Sequence, residues 1–256
     1  MLVREQWLSW GENHPKTQTF FVHAPMKNMN MGLGGSIIND KFAELPNTAI
    51  YGDYSYSIFY PNERSLSFGL KAGLTLFTGF LSNIKTMNPE VYDPAFADIP
   101  NKVLPNFGVG MYYSSPSYYL GFSVPKLIAN KITERGVETT AVSREQMHIY
   151  LMGGYVFDIS RIIKFKPYFM VRQTMNAPMS IDLTGQFVFA DILWLGGTYR
   201  IGDAIGAVLQ IKATDQLSIG YAFDLSTNEI NSSSHEVMLS FDFSFGRGRV
   251  RSPRYF

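Results

Sequence analysis

Histidines, carboxylates and serines are the residues of this 256-residue chain that could do chemistry, and their spacing gives them little to do. The four histidines, His14, His23, His148 and His235, are scattered. No pair stands at a metal-ligand interval such as H-E-x-x-H. Gly32-Leu33-Gly34-Gly35 looks glycine-rich. No helix follows it to offer an anion its N-terminus, so glycines where strands bend or pack closely fit better than a phosphate loop. No G-x-S-x-G occurs. Ser, His and Asp are not joined into a triad by spacing, which leaves an embedded lipid hydrolase or acyltransferase, assembled from distant strands, as the enzymatic alternative. Glu90, Asp93 and Asp98 share one stretch. Three oxygens without a turn spacing fit a solvated loop better than a calcium site. There are no cysteines, hence no thiolate chemistry and no disulfide frame. No catalytic residue, metal or cofactor is expected.

What remains is a set of cations in a regular phase. In 65–78, Leu66, Phe68, Leu70, Ala72, Leu74 and Leu76 alternate with Ser65, Ser67, Gly69, Lys71, Gly73 and Thr75. Strict alternation marks a strand with unlike surroundings on its two faces. A lysine in mid-strand is costly against lipid and cheap against a watery lumen, and Lys71 has the lumen phase. Lys166 and Arg172 share that phase in 163–174, where Phe165, Phe169 and Val171 face out, and Arg200 closes 192–200. Lys71, Lys166, Arg172 and Arg200 are the candidate lumen-lining residues. Pro167 falls in the outward phase and should weaken its strand locally.

The same alternation recurs along the chain with no helix between. It is clear in 48–60, 179–189, 217–225 and 235–245, the last placing Val237, Leu239, Phe241, Phe243 and Phe245 on one face. Charged residues are 17% of the total, where soluble domains average roughly 25%. The uncharged run 103–125 is too interrupted by Pro105, Pro116 and Pro125 to be a spanning helix and reads as two strands around Ser114-Ser115-Pro116-Ser117. The count is about 14 strands, an even number as a single-chain bacterial barrel requires. Connectors alternate in length, with the short 201–203 connector on the long side as an exception. One set is short: 25–30, 61–64, 114–117, 159–162, 190–191 and 214–216. The other holds the two long loops, 79–104 and 127–145. Short periplasmic turns and long outer loops are the asymmetry of an outer-membrane barrel, whereas a soluble β-sandwich gives loop length no reason to follow strand parity. Trp7 and Trp10 suit a membrane interface.

The pattern therefore predicts an all-β fold, an antiparallel transmembrane β-barrel of outer-membrane type. It forms one domain over 1–256, with 246–256 as a periplasmic tail. Met1–Glu5 has neither a basic nor an apolar leader region, so a signal peptide and N-terminal segment are expected to be missing from the start. Net charge is +1, which suggests no nucleic-acid partner. Arg247, Arg249, Arg251 and Arg254 make the tail basic, either as a solvated end or as a contact for an acidic protein.

Several segments, in order from end to end, resemble the PorP/SprF family of type IX secretion outer-membrane proteins. They are Arg4-Glu5-Gln6-Trp7, Gly32-Leu33-Gly34 with Asn39-Asp40, Tyr51–Tyr56, Leu66-Ser67-Phe68-Gly69-Leu70-Lys71, and Asp93-Pro94-Ala95-Phe96. Pro105-Asn106-Phe107-Gly108-Val109-Gly110, Tyr119-Leu120-Gly121-Phe122-Ser123-Val124-Pro125, Lys166-Pro167 and Tyr199-Arg200 follow. The last are Ile219-Gly220-Tyr221-Ala222-Phe223-Asp224, His235-Glu236 and the terminal Ser252-Pro253-Arg254-Tyr255-Phe256. The resemblance implies a non-enzymatic, multi-pass protein of the bacterial outer membrane, surrounded by its lipid. It implies a role in secreting and displaying surface adhesins, including those of gliding motility. It implies as partners a secreted protein with a type IX C-terminal sorting domain and other components of that machinery. Loops on a rigid scaffold are the expected reading surface. The candidate contacts are Asp93, Phe96, Arg135 and Arg144, the first two also by the resemblance. The alternative is a passive, porin-like diffusion channel.

Overall fold

The structure is a computed structural model and describes residues 1–26, 30–43, 45–79, 99–130, 146–228 and 232–243. Fifteen strand segments make one antiparallel sheet, each pairing with its neighbours in sequence except β8 and β9, which do not pair with each other. They are β1 (Leu2–Glu5), β2 (Lys16–Pro25), β3 (Met31–Phe42), β4 (Leu45–Tyr60), β5 (Arg64–Gly79), β6 (Ile99–Ser114), β7 (Tyr118–Val124), β8 (His148–Tyr155), β9 (Phe157–Asp158), β10 (Ile163–Thr174), β11 (Ser180–Phe189), β12 (Leu193–Arg200), β13 (Ala204–Lys212), β14 (Leu217–Ser226) and β15 (Ser233–Phe241). β8 and β9 pair with the same strand, β10, and act as one stave, so the ring has 14. Their interruption at Val156 lies beside Pro167, whose missing N–H breaks the ladder as expected.

The ring closes where β1 meets β15. Leu2, Val3, Arg4 and Glu5 lie opposite Met238, Val237, Glu236 and His235, and the same four residues pair with β2 on their other side. The Met1 amino group adds a hydrogen bond to the Leu239 carbonyl at 2.8 Å.

Burial is inverted relative to a water-soluble domain. Outward positions are apolar and exposed: Leu70 is 59% accessible and Phe243 68%. Phe241 and Phe243 both lie on this outer face, as their phase predicted; Phe245 is outside the described residues. The buried side chains point inward, and many are polar: Asn106 is 1% accessible, Asp182 6% and Gln186 7%. An apolar exterior of this extent demands lipid rather than water. At the short-turn rim the outer face carries an aromatic girdle that includes Tyr118, Tyr155, Phe157, Phe187, Phe189, Phe241 and Phe243. Neighbouring rings stand 4.5 Å apart in Tyr155–Phe157 and 4.8 Å in Phe241–Phe243. Such girdles sit at the headgroup level of a bilayer.

Two expectations need correction. The stretch 79–104 is not loop to its end: Ile99–Leu104 belongs to β6 and pairs with β5, with a shift of register between Gly79↔Ile99 and Phe77↔Lys102. Pro100 and Pro105 made this segment look irregular. β7 pairs with β6 only from Val109 on, so the earlier part of β6 is an edge, where proline is tolerated. Trp7 is not at the outer membrane interface. The backbone turns left-handed there, with φ 54° and ψ 54°, and the residue lines a cavity inside the mouth.

Candidate functional site

The inward-facing side chains divide into three groups. The first lies at the long-loop end, between β10 and β1, around a cavity of about 490 Å3. Arg200, the last residue of β12, is its hub. Its Nε donates to Asp182 Oδ1 at 2.6 Å and its Nη1 to Asp203 Oδ2 at 3.5 Å, while Nη2 stands 3.9 Å from Asp224 Oδ2. Arg4 Nη1 donates to Glu236 Oε2 at 3.1 Å and Nη2 to Asp224 Oδ2 at 3.4 Å. Asp224 is thus shared by two arginines, each two staves away.

Small residues on the intervening staves make that reach possible. Gly206 and Ala204 of β13 lie between Arg200 and Asp224. A β-carbon at position 206 would collide with the Asp224 carboxylate, so only glycine leaves it room. Ser234 of β15 is the small residue beside Asp224 on the Arg4 side. The carboxylates and guanidiniums are one-fifth or so accessible, apart from Asp203 and Asp182, so their charge-assisted hydrogen bonds are only partly screened by water.

Arg172, on β10, also lines this cavity, but its only hydrogen bond among the described residues is from Nη2 to Ser180 Oγ at 3.3 Å. Of the four cations in the lumen phase, the structure therefore brings Arg172 and Arg200 together. Lys71 and Lys166 lie elsewhere. Lys71 Nζ is 3.4 Å from Asp53 Oδ1, its cross-strand partner, and 4.9 Å from the centre of the Tyr51 ring. The buried Tyr51 hydroxyl meets Thr75 Oγ1 at 3.2 Å. Lys166 lies 5.5 Å from the Tyr168 ring and 6.0 Å from that of Tyr119. These are cation–aromatic contacts within the wall.

The third group was missed in the sequence except as part of a motif. Asn106 of β6 clamps the chain that leaves β7. Its Oδ1 accepts hydrogen bonds from the amides of Phe107, Leu127 and Ile128, at 2.9, 3.0 and 3.1 Å. Its Nδ2 donates to the Ile128 carbonyl at 3.0 Å, and Asn130 Nδ2 donates to the Pro105 carbonyl. The Pro125 carbonyl oxygen lies 2.5 Å from where a side chain at Gly108 would begin. Gly108 faces inward, between the outward Phe107 and Val109, so the chain starts its long loop by passing over the inner wall. One buried amide side chain replaces ladder bonds that β7 no longer supplies.

The candidate contacts Asp93, Phe96, Arg135 and Arg144 lie outside the described residues, as do Glu90, Asp98 and the basic tail. Among the described residues no group of three or more His, Asp or Glu side chains is placed to hold a metal ion.

Solved structures share the fold. The Acinetobacter baumannii outer membrane protein Omp33 superposes with a TM-score of 0.51 at 10% identity, over 94% of this chain and 97% of that one. A Pseudomonas aeruginosa FadL homologue gives 0.50 at 11% identity, over 95% and 88%. At such identity the likeness speaks to architecture alone. No curated protein matches the sequence. The profile described as type IX secretion system membrane protein PorP/SprF matches residues 1–241, nearly the whole chain and all of its ring. The chain is an outer-membrane, multi-pass barrel and belongs to the PorP/SprF family of type IX secretion system membrane proteins.

Proposed function

We propose that this barrel binds a secreted polypeptide through its type IX C-terminal sorting domain, helps bring it across the outer membrane and holds it at the cell surface as an adhesin. The role is non-enzymatic, and a gliding adhesin is one form the cargo takes. The carrying observation is the difference between the two ends of the ring. One end has tight turns and an aromatic girdle. The other has the longest connections, the clamp on Leu127–Asn130 and the charged cavity. A rigid wall with its irregular chain gathered at one mouth is a scaffold for a reading surface. We assign the contacts to Asp93, Phe96, Arg135 and Arg144, with other components of the secretion machinery meeting the same assembly.

Deleting residues 82–96 or 132–143 tests this. The expected result is release of the secreted partner into the medium, at unchanged levels of folded barrel in the outer membrane. Full retention of the partner by both deletion variants would overturn the assignment.

A second reading, a diffusion channel lined by Lys71, Lys166, Arg172 and Arg200, draws support from their inward phase. The burial of Asp182, Thr184 and Gln186 on the same face weighs against a wide lumen. Stable ohmic conductance in a planar bilayer would favour the channel.

A further inference from the structure

We propose that the mouth cavity is a binding site for a singly charged carboxylate, with Arg172 as the group that receives it. The distribution of charge within the cavity carries this inference. Its three lining aspartates, Asp182, Asp203 and Asp224, are all engaged by Arg200 or Arg4. Glu236 is engaged by Arg4 as well. Arg172 has no carboxylate partner among the described residues, and Ser180 uses one of its five N–H donors. The nearest acid on the adjoining stave, Asp182, lies two positions along β11 from Ser180 and is held by Arg200 at 2.6 Å. A guanidinium left with open donors in a partly enclosed cavity matches a planar carboxylate in two parallel hydrogen bonds.

The surroundings narrow the ligand. Four acidic side chains stand around the cavity and behind Arg4, so a doubly charged phosphate meets more repulsion there than a carboxylate does. A volume of about 490 Å3 is in the range of small-molecule sites and too small for a folded domain. Trp7 supplies an aromatic wall, and it does so from a left-handed backbone conformation that a bulky residue rarely adopts. Backbone held in such a region tends to cluster at ligand sites. The ligand is a small organic acid or the last residue or two of a polypeptide, both offering one carboxylate. The site does not depend on the partner contacts assigned above, because none of its lining residues belongs to 80–98 or 131–145.

The test uses the purified full chain refolded in detergent, with tryptophan fluorescence and calorimetry as readouts. The probes are acetate, inorganic phosphate, and acetyl-Gly-Ala as the free acid and as the amide. Saturable binding of the free acid, at least tenfold weaker for the amide and for phosphate, is the expected result. Arg172→Gln should weaken acid binding at least tenfold, and Arg172→Lys should retain part of it. Trp7→Phe should abolish the fluorescence change while calorimetry still registers heat. Peptide acid binding tenfold tighter than acetate identifies a chain terminus as the source; equal affinity identifies a small acid. Equal binding of acid and amide, undiminished binding by folded Arg172→Gln, or no saturation with any probe would overturn the site. The acid–amide comparison needs no variant, so a folding defect in the mutants cannot shield the proposal.

Discussion

On one side of the ring β4, β5 and β6 run for 16 residues each, in unbroken register over most of that length. A few staves away the ring is closed by a strand of only four residues, β1. The long staves exceed the 9–11 residues that crossing a bilayer requires, so an extended backbone ladder holds that wall, with side-chain pairs such as Lys71–Asp53 confined to adjacent staves. The short stave cannot draw on such a ladder. There, ion pairs reach across to staves that are not neighbours, with Arg4 and Arg200 both gripping Asp224. The charged residues that read as lumen lining in the sequence are therefore also fasteners for the weakest part of the cylinder. A buried or half-buried ion pair is poor evidence of stability by itself. Removing one partner is costly all the same, because it strands the other.

The contrast can be broken most severely through the tall wall's outer face. Leu70→Arg places a charge near the middle of β5 against hydrocarbon and should cost about 2–4 kcal/mol. Lys71→Met, one residue along and facing inward, should cost less than about 1 kcal/mol. Urea titration, read as the fraction migrating as compact barrel on an unheated gel, separates the two. Two staves from Asp224, Arg200→Met should cost about 2 kcal/mol, since it leaves Asp182 and Asp203 without their guanidinium and Asp224 with Arg4 alone. Adding Asp224→Asn should recover part of that loss in a double-mutant cycle; strict additivity would mean the staves are not coupled through this carboxylate. The mildest change is at the clamp. Asn106→Ala should leave the ring's unfolding free energy within about 1 kcal/mol of wild type while exposing 125–130 to limited proteolysis. Unchanged protease resistance would show that the loop is held by something other than this side chain.

Most of the ring was legible because alternation is a local signal. Residues 48–60 and 65–78 give their strand, their phase and the inward place of Lys71 from a reading of period two alone. Ile99–Leu104 was not legible, since two prolines mark it as irregular and only the absence of β7 alongside makes them tolerable. The site was half readable. Phase placed Arg172, Arg200, Asp182, Asp224 and Glu236 inward. It could not say that Arg4 meets Asp224, because that contact joins residues 220 apart through the closure of a cylinder. Nor could it say that Trp7 turns into the mouth, which depends on one backbone angle. The role of Asn106 was hidden because an amide in a strand has no pattern of its own; only the chain passing beside it, at Leu127 and Ile128, gives it three of its hydrogen bonds.

The pairing of β1 with β15 has a consequence for how the molecule comes into being. β1 must wait until β15 has been synthesised before its second edge is covered. Until then every intermediate presents an open flank, ready to zip onto a neighbouring molecule or to be held by an escort during transit. Completion is therefore a single late event, and a translation product cut short before Ser233 has no way to seal itself.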